Sequence, residues 1–143
     1  MSEVDRETRL ERLNATSRNT LMEVLGIRYT DVGDDYVVAT MPVDARHHQP
    51  YGILHGGATA ALAETVGSMA SGLKLHGSGQ TAVGLELAVN HLRPVRVGQV
   101  SARAEAVHLG RTTHLWQIDV TDEAGKRVAR AKLTMMVRPA ETA

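Results

Sequence analysis

The chain has 143 residues, 43% of them hydrophobic, with 16 basic and 16 acidic side chains, so it can build one domain with a real core. Its zero net charge offers no overall field to hold nucleic acid or an anionic membrane, and neither is an expected partner. The absence of cysteine excludes disulfides, thiolate metal sites and a cysteine nucleophile.

No apolar run reaches the ~18 residues of a membrane span, and the charged first residues are unlike a secretion signal. A cytoplasmic location is expected. One Trp, three Tyr and no Phe leave the core to Ala, Val, Leu and Met.

Residues 1–14 are highly charged, and 1–19 are expected to be only partly ordered. Leu10, Leu13, Leu21 and Leu25 predict one modest amphipathic helix or two short ones within 6–24. Asn14, Thr16 or Ser17 would cap a second helix. Residues 26–30 read as extended, 31–35 as a turn around Gly33, and 36–41 as a strand that Pro42 ends. Together these form a hairpin.

A loop over 44–57 leads into the longest predicted element, a helix from Ala58 to Leu75. Leu62, Val66, Met69 and Leu73 mark one apolar stripe. Pro50, Gly56 and Gly57 argue against an earlier start, and Gly77-Ser78-Gly79 ends the run. Glu64 lies off the stripe, on a small polar face with Ala60, Gly67, Ser68 and Ser71. The stripe is expected to face the chain's own sheet, and the Glu64 face to meet a second chain or a ligand.

Four strands are predicted next. Residues 81–92 place Val83, Leu85, Leu87 and Val89 on one face, and 99–109 alternate with Val100, Ala102, Ala104 and Ala106. Residues 113–121 hold Trp116, and 127–137 form the last strand before a loose tail at 139–143. Short turns imply antiparallel pairing. The whole reads as a single α+β domain over 1–143, with an open sheet whose edges favour assembly.

The loop and helix start carry the chemistry. The first N–H groups of a helix lack internal partners and sit at the positive end of its dipole. Gly56 and Gly57 leave that end open to a carbonyl oxygen gaining negative charge. With the Gln49 amide, the His55 imidazole and the Glu64 carboxylate, this is a kit for acyl transfer.

Blander readings stand beside it. By residue type alone Glu64 is a solvated helix residue, although its small neighbours weigh against that. His55 serves equally well as a helix cap. His47, His48 and His55 lack a ligand spacing, so no metal or redox cofactor is expected. Ser68 sits in no Gly-x-Ser-x-Gly turn, which argues against a serine nucleophile. Arg93, Arg96, Arg103 and Arg111 read by default as solvated, though arginine's fork suits phosphates.

The runs Gln49-Pro-Tyr-Gly-Ile-Leu-His-Gly-Gly57 and Ala61-Leu-Ala-Glu-Thr-Val-Gly-Ser68 carry a family likeness. So do Val83-Gly-Leu-Glu86, Asn90-His-Leu-Arg93, His108-Leu-Gly110 and Trp116-Gln-Ile118. On these the chain resembles the hotdog-fold acyl-CoA thioesterases of the Arthrobacter-type 4-hydroxybenzoyl-CoA and phenylacetate-pathway group. Within it, the nearest likeness is to 1,4-dihydroxy-2-naphthoyl-CoA thioesterases and the enterobactin-synthesis proofreading thioesterases. The likeness covers about residues 20–138, and its specificity lies in Gln six residues before the His and Glu nine after it.

The resemblance implies an antiparallel sheet wrapped around one long central helix, in a homodimer with interfacial active sites that often pairs into a homotetramer. It implies an acyl-CoA substrate, or an acyl-carrier protein, and no cofactor beyond the coenzyme A of the substrate. Glu64 would be nucleophile or general base opposite Gln49, His55 and Gly56 of the partner, with Ser68 helping to place the water. Gly57, His91 and Arg93 would lie near the ligand, and His108, Gly110, Arg111 and Thr112 near the CoA phosphates. Arg111 departs from the small hydroxyl residue that relatives often carry there. An aromatic acyl group is expected, with medium-chain acyl as the other option, and stacking would fall to Tyr29, Tyr36 or Tyr51. The competing reading is a non-catalytic hotdog module that binds acyl-CoA or acyl-carrier protein. A hotdog dehydratase would need a differently placed His and acid pair, which is not seen.

Overall fold

The computed structural model describes residues 1–142. Its first helix, α1 (Glu3–Thr16), starts earlier than the leucine spacing suggests. Ser2 and Asp5 form a reciprocal capping box there, which satisfies two of the orphan helix donors. The short α2 (Leu21–Leu25) follows, so the two-helix alternative holds. Its cap is Thr20, not one of the three residues expected. Asn14 instead bonds both backbone groups of Tyr29, at 2.9 Å each, and ties α1 to the first strand.

The strands are β1 (Arg28–Val32), β2 (Tyr36–Val43), β3 (Gln80–His91), β4 (Gly98–Leu109), β5 (Thr113–Thr121) and β6 (Arg127–Pro139). Between β2 and β3 runs the 20-residue helix α3 (Gly56–Leu75). Pro42 does not end β2. Pairing with β1 stops at Thr40, so the missing N–H of Pro42 falls beyond β1, where no ladder bond is lost on that side.

All neighbours are antiparallel, in the order β1-β2-β4-β5-β6-β3. Short-turn reasoning placed β3 beside β4. The chain instead carries β3 to the far edge, against β6, with the β3–β4 link crossing back. The sheet then curls around α3, which touches every strand from β2 to β6. This is the expected α+β architecture.

The helix buries Thr59, Leu62, Ala63, Val66, Gly67, Ala70, Ser71 and Leu75. Leu62 and Val66 behave as the stripe predicts, while Met69 and Leu73 are only half-buried. Gly67 and Ser71 belong to the sheet side, contrary to the face assigned to them. A Cβ on Gly67 would stand 2.5 Å from a Leu133 methyl, so its absence lets the sheet approach. Trp116, Ile118 and Leu133 are fully buried beneath, and such side chains contribute about 1.5–3 kcal/mol each.

One bulge redirects β3. Gly84 pairs with Met135 and Glu86 with Thr134, leaving Leu85 as the extra residue. The inward parity therefore changes: Ala82 before the bulge, but Leu87 and Val89 after it, pack on the core. Val83 and Leu85 are exposed, at 40% and 60%, instead of sharing a face with Leu87 and Val89.

Candidate active site

Helix α3 starts at Gly56, with His55 as its N-cap, two residues before the predicted start. The loop ahead is folded on itself: Gly52 N–H donates to the Gln49 carbonyl and Gln49 N–H to that of Ile53, both at 2.9 Å. Tyr51 N–H donates to Gln49 Oε1. That contact fixes the amide, so its NH2 end is the one turned free to donate.

His55 Nδ1 accepts from Gly57 N–H at 2.8 Å. The neutral ring therefore carries its proton on Nε2. The cap also spends the Gly57 donor, so it is unavailable to a ligand. A Cβ on Gly57 would lie 2.9 Å from the imidazole, so the glycine makes the cap possible. No bond from Gly56 N–H is found among the described residues. Of the two glycine donors expected at the helix start, Gly56 is the one left open.

Gln49, Gly56, His91 and Arg93 border one groove of about 470 Å³, with Thr59 and Val95 among its walls. His91 lies directly against the helix start, since a Cβ on Gly56 would meet its ring at 3.0 Å. Glu64 and Ser68 open into a different cleft of about 570 Å³. Its walls come from α2 (Leu21, Met22), β1 (Tyr29), α3 (Met69) and β3 (Ala82). Gly84 lies against the carboxylate: a Cβ there would stand 2.7 Å from Glu64 Oε1. The nearest polar contact of Ser68 Oγ is the Met135 sulfur, at 3.9 Å.

Gly56 and Glu64 are eight residues apart along α3, so about 12 Å separates them on the helix axis. Within one protomer the amide and backbone donors thus face one groove and the carboxylate another. His108, Gly110, Arg111 and Thr112 stand elsewhere again. Their turn is closed by Gly110 N–H donating to the Thr113 carbonyl at 2.8 Å. It lies at the C-terminal end of α3, where Ser71 bonds His114, the second residue of β5.

The remaining candidates are occupied. His47 is buried between Asp44 and the Leu25 carbonyl, and His48 Nε2 meets the Arg96 carbonyl at 2.7 Å. These rings do not converge with His55. Arg103 pairs with Glu105 at 2.6 Å and stacks 3.9 Å over Tyr36. Tyr51 is 86% exposed, so Tyr29 is the one tyrosine of the three that lines the Glu64 cleft. Sequence reasoning missed α2 as a cleft wall. The available signal was apolar Leu21 and Val24 on a five-residue helix, both left exposed.

Residues 51–129 match the thioesterase superfamily. The chain belongs to that family, shares its hotdog fold, and is a thioester hydrolase. It is 52% identical over 132 residues to the proofreading thioesterase EntH of Cronobacter turicensis, covering 92% of this chain and 96% of the relative. The crystal structure of a glutamine-to-alanine mutant of thioesterase PA1618 from Pseudomonas aeruginosa superposes with a TM-score of 0.89. It is 50% identical and covers 92% of this chain and 94% of that one. SAV0944 from Staphylococcus aureus, 33% identical, superposes at 0.81 over 84% of this chain and 99% of its own. Solved mutants of SAV0944 replace a glutamate and a glutamine, separated by the same number of residues as Glu64 and Gln49.

Proposed function

We propose that this chain hydrolyses an acyl-CoA to the free acid and CoA, in an active site completed by a second copy. The observation that carries this reading is the division of the site. Gln49 and Gly56 offer donors in one groove, Glu64 offers a carboxylate in another, and neither alone can do acyl transfer. Two copies would bring Glu64 of one opposite Gln49, His55 and Gly56 of the other. Strand β3, twelve residues long with one edge unpaired, supports such pairing. A homodimer, or a homotetramer built from two, is the assembly this reading requires, in a cytoplasmic protein.

The thioester carbonyl oxygen accepts from Gly56 N–H and the Gln49 amide, which stabilise the negative charge it gains. Glu64 either attacks the carbonyl carbon, expelling CoA thiolate and leaving an anhydride for water to cleave, or takes a proton from the attacking water. Ser68 helps to place that water. His55, with its proton on Nε2, assists on the donor side. His91 and Arg93 border the groove the thioester would enter. His108, Gly110, Arg111 and Thr112 receive the CoA phosphates. The reaction in this form needs no cofactor beyond the CoA of the substrate.

The acyl group is aromatic, hydroxybenzoyl- or dihydroxynaphthoyl-like, or of medium chain length, carried by CoA or by an acyl-carrier protein. The relative named as a proofreading thioesterase supports thioester hydrolysis, and the mutated glutamine and glutamate of the S. aureus relative support the roles given to Gln49 and Glu64. The test is thiol release from a panel of aromatic and aliphatic acyl-CoAs by wild type and Glu64→Ala. Loss of one oxyanion donor typically costs about 10²–10³ in rate, and loss of Glu64 should cost more. Near-full turnover by Glu64→Ala would end this mechanism.

A further inference from the structure

We infer that Tyr29 selects the acyl group, its hydroxyl hydrogen-bonding to a hydroxyl carried on the part of that group remote from the thioester. This rests on the proposed use of the Glu64 cleft as the acyl site. Tyr29 is 2% exposed and lines that cleft, yet its hydroxyl has no hydrogen bond among the described residues. The hydroxyl itself is not sealed in: it reaches the cleft, open to whatever occupies that space. The neighbouring hydroxyl of Thr65 is already spent on the Ala61 carbonyl, at 2.7 Å. Leu21, Met22, Met69 and Ala82 offer Tyr29 nothing polar. The other polar side chains of the cleft, Glu64, Thr65, Ser68 and Thr81, stand on α3 and β3, so Tyr29 is the polar point on the wall that α2 and β1 build, set beside apolar Leu21 and Met22.

Tyr29 is also held firmly. Asn14 bonds its backbone N–H and carbonyl, so α1 holds the strand that carries the ring. It stands on β1, whereas Glu64 stands on α3, so one occupant can meet both with different ends. The cleft, at about 570 Å³, has room for an aryl acyl group. Burial pushes the phenol up to about 12, so it stays neutral at working pH. The apolar wall would oppose a carboxylate there, which leaves a neutral hydroxyl as the fitting partner.

The test compares wild type, Tyr29→Phe and Glu64→Ala on benzoyl-CoA, its ortho-, meta- and para-hydroxy forms, and medium-chain acyl-CoAs. Tyr29→Phe should lower kcat/KM about tenfold more on at least one hydroxylated form than on benzoyl-CoA. Equal change on all four aryl substrates, or no change on any, overturns the inference. A wild type that hydrolyses only aliphatic substrates also overturns it, while leaving the thioesterase reading standing. Turnover that survives Glu64→Ala defeats that reading and this one together. Independently of any variant, wild type should bind a hydroxybenzyl-CoA thioether about tenfold more tightly than benzyl-CoA thioether. Equal affinity for both would likewise sink the proposal.

Discussion

Ser68 and Ser71 sit three residues apart on one helix, and the structure treats them oppositely. Ser71 is fully buried, and its hydroxyl is saturated: Trp116 Nε1–H donates to it at 2.7 Å, and His114 Nδ1 lies 2.9 Å away. Since the indole can only donate, the serine proton goes to His114. Ser68, half-buried, opens into the Glu64 cleft with nothing better than a sulfur near it. One serine is committed to holding α3 on its sheet. The other is left uncommitted, as a group meant for substrate or water would be. Commitment of hydrogen bonds, more than residue type or burial, separates framework from proposed site here.

Substitutions should break or sharpen that contrast. The largest effect is expected from Ser71→Ala. It strands two buried groups, and each stranded group costs about 1–3 kcal/mol. Thermal melting should drop by several degrees. If kcat falls as steeply as stability, the division between framework and site fails. A smaller loss should follow Ser68→Ala: kcat reduced about tenfold, the worth of one hydrogen bond, with an unchanged melting temperature. A melting temperature that falls with kcat would place Ser68 in the framework.

The smallest effect is a pH dependence. Burial first, then the nearby charges of His108 and Lys74, hold His114 below its ordinary 6.5. The unfolded chain takes up that proton near 6.5 while the folded chain refuses it. Stability from this group is thus complete above about 6.5 and is lost as pH falls below it. Melting temperature should decline from about pH 7 to about pH 5, and less steeply in His114→Asn. An identical slope in both proteins would show that His114 is not the group responsible.

Much of the fold was legible locally. Turn residues and period-two alternation mark β4, β5 and β6 close to where they lie, because each signal sits within a few residues of the chain. The loop Gln49–Gly57 and the carboxylate at Glu64 were legible as a kit by type and spacing. Helix caps were less so: Asn14 fits a cap by type, yet its amide matches both backbone groups of Tyr29, fifteen residues away.

By itself, then, the sequence determined most of the elements and the long helix, and it named the residues proposed here for acyl transfer, since propensity and periodicity act over short spans. Only the tertiary structure decided that β3 crosses to β6, and that a bulge at Leu85 reverses which residues of β3 face inward. It alone decided that His55 uses up the Gly57 donor, and that Gln49 and Glu64 open into separate cavities. Each of these depends on which distant surfaces meet and which hydrogen bonds they consume, and no window of a few residues contains that information.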